Sequence, residues 1–297
     1  MKMTLRSLLS TVTLLTGLLI FSLTIHAGGI EKPVIQVKRV GSGDPVILIP
    51  GLMSDGSVWD GTVEALSSDY QLHIVNVAGF GKTPKAKNTT AASVEQAIVN
   101  YARQQGLPSP VVIGHSFGGF LAMALAVNPD INVKKAISVD GLPYIGPIFT
   151  RTNATSVEDL RAQAGQLKSL YHQLNHDQLV AQTRQGIAIQ ASSPEAQQVV
   201  LDSARQSDPA TVGQIMHDLM LRDLRPSLAG DTTPILLLGA SGAFQSNAQH
   251  EYAQELYAGQ LAQAPDAEVI MNTQARHFIM LDDPAWLHQH ITAFLGE

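Results

Sequence analysis

The sequence predicts an α/β fold: a mostly parallel central sheet with helices on both faces, plus an inserted all-helical segment. Three observations predict it. Apolar runs such as Pro45–Ile49 and Ile235–Leu238 are continuous rather than alternating, as expected of strands buried on both faces. These runs alternate with helix-like stretches, the pattern of parallel strands joined by crossover helices. From Tyr144 to Leu228 no strand-like run occurs, and apolar residues recur at helical spacing instead. The chain has 297 residues, 45% of them hydrophobic, which suffices for one sizeable core or a core plus a subdomain.

The elements follow in order. Val34–Val40 alternates and reads as a strand. Gly41–Asp44 is a turn, and Pro45–Ile49 is a buried strand ending in the loop Pro50–Gly56. A helix is predicted over Val58–Ser67 and a strand over Gln71–Val77. Ser93, with Gln96 three residues on, reads as the cap of a helix running to Gln105. Pro110–Ile113 is a strand, Phe120–Ala126 a helix and Lys135–Asp140 a strand. The helical segment 144–230 carries Pro194 and Pro209 near predicted helix starts. Ile235–Leu238 resumes the sheet. It is followed by a helix over Asn247–Ala262, a strand over Ala267–Met271 and a last helix over Pro284–Leu295, which Asp282 and Asp283 are expected to cap.

The amino terminus reads differently. Lys2 and Arg6 precede an apolar stretch from Leu8 to Ile25, and Ile25-His26-Ala27 resembles a cleavage site. Residues 1–27 are therefore read as a secretory signal peptide. The expectation is export, to the periplasm or medium, with no stable membrane anchor after cleavage. An uncleaved anchor is the alternative, since the stretch is close to the roughly 18 residues that a span needs. The remaining division is 28–143 and 231–297 as the sheet-bearing body and 144–230 as a helical cap.

Composition excludes several function classes. The formal net charge is −6 and no basic run is interleaved with aromatics, so nucleic acid is not an expected partner. There is no cysteine, which excludes disulfides, Cys-ligated zinc and iron–sulfur clusters. His172 and His176 are four apart on a predicted helix, but no carboxylate motif accompanies them, so no metal is expected.

The chemistry centres on Gly114-His115-Ser116-Phe117-Gly118-Gly119. An apolar strand precedes it and a helix follows. A serine at the apex of a strand–turn–helix is lifted clear of the backbone at the carboxyl end of the sheet, where ligands of such folds bind. Glycines leave room for the turn. The N–H of Phe117 begins the helix, lacks an intrahelical acceptor and can face developing negative charge. Ser116 is thus the candidate nucleophile. It needs a base, and His277, just beyond the last strand, is the candidate. Asp140 ends the strand after the nucleophile helix. Pro50-Gly51, Asn76, Ser116, Asp140 and His277 all fall at or just beyond predicted strand ends.

These segments together resemble the α/β-hydrolase superfamily. The resemblance covers nearly the whole chain after residue 27. It rests on Pro50-Gly51-Leu52 with Trp59 downstream, Gly79-Phe80-Gly81, the Gly114–Gly119 turn and Ala275-Arg276-His277-Phe278, in the expected order. Two positions depart from the common pattern: Pro50 stands where His is usual, and Asn76 lies where Asp is usual. The resemblance implies that the N–H of Leu52 joins that of Phe117 in an oxyanion hole, and that the helical insertion covers the site. Trp59 and Phe80 are expected to pack rather than line the pocket.

The resemblance also exposes a gap. Most members place the acid after the strand that here is Ile235–Leu238, yet Gly239–Asn247 contains no carboxylate. Some capped members place it after the preceding strand, which implies Asp140. Glu251 or another cap carboxylate, and a dyad with no acid, stay open. The implied activity is hydrolysis of an ester, thioester or small amide through an acyl-enzyme on Ser116, with His277 as base and Asp140 as acid. The partner is a small acyl-containing substrate, with no cofactor required. Ser116, rather than Asp, argues against haloalkane dehalogenase and epoxide hydrolase chemistry. Acyltransferase, carbon–carbon hydrolase and cofactor-free haloperoxidase chemistry remain alternatives, as does a non-catalytic binding protein.

Overall fold

A computed structural model describes residues 32–296, so the segment read as a signal peptide lies outside the described residues. Among the described residues no helix is long and apolar enough to cross a membrane.

The sheet comprises β1 (Ile35–Val40), β2 (Asp44–Ile49), β3 (Tyr70–Val77), β4 (Val111–His115), β5 (Lys135–Val139), β6 (Ile235–Ala240) and β7 (Ala267–Asn272). Their spatial order is β1-β3-β2-β4-β5-β6-β7. β1 runs antiparallel to β3, and every other neighbouring pair is parallel. β4 is buried at every position and β2 over its last four, which accounts for their unbroken apolar runs. Register aligns the strand ends: Ile49 is opposite Gly114, Gly114 opposite Ser138, and Val139 opposite Leu238. Residues just past β2, β4, β5 and β6 therefore emerge along one edge.

The helices that follow β2, β3 and β4 are α1 (Asp60–Leu66), α2 (Ala91–Gln105) and α3 (Phe117–Ala126). Between β5 and β6 lie α4 (Gly146–Thr150), α5 (Val157–Gln173), α6 (His176–Gln185), α7 (Ile187–Gln190), α8 (Pro194–Gln206), α9 (Pro209–Met220) and α10 (Arg225–Leu228). The chain ends with α11 (Asn247–Gln260), α12 (Ile279–Asp282) and α13 (Pro284–Gly296). On one face of the sheet α2, α3 and α11 bury Ile98, Phe120, Leu121 and Leu256. On the other, α1 and α13 bury Leu66, Leu287, Ile291 and Phe294, together with Trp59. Each such side chain contributes about 1.5–3 kcal/mol of transfer free energy.

The four longest inserted helices, α5, α6, α8 and α9, begin on polar caps: Ser156, Asn175, Ser193 and Asp208 each accept a backbone N–H from the first turn of their helix. Pro194 and Pro209 occupy first helical positions, where a missing N–H costs nothing. α5 and α9 pack around Leu160, Ala164 and Met220, while Val212, Ile215 and Leu219 join the core of the sheet.

Three local expectations need correction. The helix α2 is capped by Thr90, not Ser93. Ser93 sits at the third helical position, and its hydroxyl accepts the Thr90 N–H while Thr90 Oγ1 accepts the Ser93 N–H. The helix after β2 starts as a tight turn over Gly56–Trp59, with Asp55 capping it. Asp283 does cap α13, accepting the Trp286 N–H at 3.2 Å. Asp282 instead accepts the backbone N–H groups of Ser192 and Arg276, both at 2.9 Å, and so ties α12 to the inserted helices.

Candidate active site

The serine turn is enforced by close packing. Ser116 has φ 53° and ψ −113°, a conformation costing about 1–3 kcal/mol that persists only where neighbours impose it. Its N–H donates to Val139 at 2.9 Å, tying the turn to β5. Glycine is required beside it: a Cβ on Gly114 would lie 1.9 Å from the Gly118 carbonyl oxygen, and one on Gly118 2.2 Å from that of Ile49. The loop after β2 thus lies directly against the start of α3. A Cβ on Gly51 would sit 3.2 Å from the Ser116 Cβ. The N–H groups of Leu52 and Phe117 donate to no acceptor among the described residues.

Asp140 follows β5 with φ 51°, a left-handed conformation that Asp tolerates better than most residues. Its N–H donates to Leu238 at 2.7 Å. Its carboxylate is buried and fully engaged. Oδ2 accepts from His277 Nδ1 at 2.6 Å, and Oδ1 accepts from the Ala240 N–H and the Tyr257 hydroxyl, each at 2.8 Å. In a neutral imidazole, donation from Nδ1 makes Nε2 the acceptor nitrogen.

The loop carrying His277 is held from several sides. Asn272 Oδ1 accepts the N–H groups of Gln274 and Ala275, both at 2.8 Å. The His277 and Phe278 N–H groups donate to Ile189 and Gln190 of α7, at 3.3 and 2.9 Å. His115 Nε2–H donates to the His277 carbonyl at 3.0 Å, and its ring packs against Phe278 with centroids 4.5 Å apart and planes tilted by 54°. Burial, and then the neighbouring His277, hold the His115 pKa well below 6.5. His115 is therefore a neutral spacer within the turn.

Ser116, Asp140 and His277 line one cavity of about 730 Å³ beneath the inserted helices. Neither Ser116 Oγ nor His277 Nε2 has a hydrogen-bond partner among the described residues, and both residues line the cavity. The walls are mainly apolar, and Ile148, Phe149, Ile189, Phe244 and Tyr252 line it while remaining exposed. Glu251, weighed as an alternative acid, is exposed on α11 and does not line the cavity. Trp59 and Phe80 are fully buried away from it, and Phe80 meets Phe117 edge-on at 6.1 Å.

Comparison with known proteins adds a family. A model described as the alpha/beta hydrolase family matches residues 46–289, spanning the parallel strands and the insertion. The chain belongs to the alpha/beta hydrolase family. Over 264 residues this alpha/beta hydrolase is 25% identical to a pimeloyl-[acyl-carrier protein] methyl ester esterase of Vibrio vulnificus strain YJ016, covering 86% of this chain and 96% of that protein. A hydrolase from Pseudomonas aeruginosa superposes with a TM-score of 0.71 at 15% identity, over 89% of this chain and 94% of that one. An esterase from Thermogutta terrifontis superposes with a TM-score of 0.70 at 17% identity, over 88% and 92%. At such identities the two structures share the fold.

Two features of this alpha/beta hydrolase escape sequence reasoning. One is the pair of donors on Asp140 Oδ1. Buried positions 253, 256, 257 and 260 of α11 follow helical spacing, so an inward face was legible. No local signal says that the Tyr257 phenol reaches a carboxylate 117 residues away. Burial, then the Asp140 charge, push that phenol well above 10, so it remains a donor. The other is His115, whose long-range bond to His277 O no pattern within the motif announces.

Proposed function

We propose that this alpha/beta hydrolase is a serine esterase that cleaves a carboxylic ester through an acyl-enzyme on Ser116. One observation carries the reading: His277 Nδ1 lies 2.6 Å from Asp140 Oδ2, on the wall of the cavity that Ser116 also lines. In this mechanism His277 Nε2 takes the Ser116 proton as Oγ attacks the ester carbonyl carbon. The oxyanion that forms accepts from the N–H groups of Leu52 and Phe117. His277 Nε2–H then protonates the leaving alcohol as the carbon–oxygen bond breaks. Water, deprotonated by the same nitrogen, attacks the acyl-enzyme and releases the acid. Asp140 keeps Nδ1–H oriented and stabilises the imidazolium of each transition state.

The named activity of the Vibrio relative supports an ester as substrate, and the apolar cavity suits an acyl chain. Ser116→Ala should abolish turnover across a panel of activated esters graded by acyl length. Undiminished turnover overturns the nucleophile. The reading extends to export, on the strength of residues 1–27. Cell fractionation should find a shortened chain outside the cytoplasm, and a full-length cytoplasmic chain would overturn it.

A further inference from the structure

Arg276 precedes His277 and lines the same cavity. Its guanidinium is anchored but not neutralised. Nη1 donates to the Ala191 carbonyl at 3.0 Å, and its backbone N–H is held by Asp282. Nε is buried and has no hydrogen-bond partner among the described residues. Among the described residues no carboxylate lies within ion-pair distance of it. The charged and titratable groups on the cavity wall are Asp140, Arg151, Tyr252, Tyr257, Arg276 and His277. Asp140 is the one carboxylate in that set, and its oxygens are taken by His277, Tyr257 and Ala240. Arg151 likewise has no ion-pair partner among the described residues, and its carbonyl is fixed by the Tyr252 hydroxyl at 2.7 Å. The cavity wall thus includes two arginines, Arg276 and Arg151, with no ion-pair partner among the described residues, in a chain whose net charge is −6.

An arginine does not lose its proton, so it cannot relieve its own desolvation by neutralising. It offers five donors in a planar fork suited to a carboxylate or phosphate, and one side-chain donor is used here. We propose that the ester accepted by this site carries an anionic group, a carboxylate or phosphate on an apolar chain, that pairs with Arg276. Arg151 adds longer-range attraction at the cavity wall. The inference deepens the esterase reading by naming a substrate class, and it rests on that reading for the reaction.

Binding separates the two. Calorimetry on Ser116→Ala would compare monomethyl esters of straight-chain diacids, four to ten carbons long, with methyl esters of monoacids of the same length. Matched ω-phosphates would distinguish the two anions. At the best length the anionic ester should bind about tenfold or more tightly than its neutral counterpart, as charge-assisted pairing implies. Added salt should narrow the gap. Arg276→Gln on the same background should bring the two within about twofold, with Arg276→Lys between. Circular dichroism would verify folding, and the contrast in the Ser116→Ala chain decides the matter even if Arg276→Gln fails to fold. Equal affinity at every length overturns the proposal, and so does an anionic advantage that survives Arg276→Gln. Retention of esterase turnover by Ser116→Ala would overturn the mechanism while leaving the binding test intact.

Discussion

The Tyr257 hydroxyl donates to Asp140 Oδ1 at 2.8 Å, on the carboxylate oxygen that His277 leaves free. The Ala240 N–H shares that oxygen from the end of β6. The strand that carries the acid in most members of the family here contributes a donor instead. The carboxylate of β5 is thus aimed by groups from β6 and α11.

Tyr257→Phe tests this arrangement. Losing a hydrogen bond to a charged group, worth about 1.5–3 kcal/mol, should lower kcat/KM by roughly 10–100-fold. A change in kcat/KM below about twofold would reduce Tyr257 to packing.

Asp140→Asn keeps the shape but can no longer fix the imidazole tautomer. Steady-state kinetics should show kcat falling by about 10⁴. A decrease below about tenfold would assign the acid elsewhere.

Gly51→Ala should damage the site without replacing a reacting group. The added Cβ would lie 2.6 Å from His115 Nδ1, whose ring is wedged against His277 and Phe278. Overpacking of this kind costs about 1–3 kcal/mol of stability. Denaturant unfolding should show that loss, and kcat should fall as the loop carrying Leu52 moves away from Ser116. Wild-type values for both would show that the loop yields freely.

Stability should depend on pH through buried histidine. His115 is fully buried and its pKa lies well below 6.5; His73 and His288 are also lowered, chiefly by burial. Below 6.5 the unfolded chain therefore binds more protons than the folded one. Their contribution is complete above 6.5 and is lost as pH falls from there toward the folded-state values. For His115 the slope is at most about 1.4 kcal/mol per pH unit. The lowered carboxylates Asp55 and Asp208 act in a separate window, below 3.8. Thermal melts should give a higher Tm near about pH 7.5 than near about pH 5.5, with a smaller difference in His115→Gln. Equal Tm values at the two pH values would refute the assignment.

Much of the fold was legible because its causes are local. Val46–Ile49, Val111–Ile113 and Ile235–Leu238 are unbroken apolar runs, since each strand is covered on both faces. The turn at Ser116 was legible because Gly114 and Gly118 sit where any Cβ would strike backbone. Cap positions were less secure: Thr90 and Ser93 are both favoured cap types, and the choice depends on where the helix meets its neighbours.

By itself the sequence determined the strands, the serine turn, the order of Ser116, Asp140 and His277, and the missing carboxylate after Leu238. These follow from periodicity, glycine sterics and residue identity, which act over a few neighbouring positions. Only the tertiary structure decided that Asp140 meets His277, that Tyr257 and Ala240 hold its other oxygen, and that Arg276 lines the cavity with no counter-charge among the described residues. Those contacts join residues as far as 137 positions apart. The sheet register and the seating of the inserted helices create them, and hydrophobic patterning specifies which face is buried but not which atom it meets.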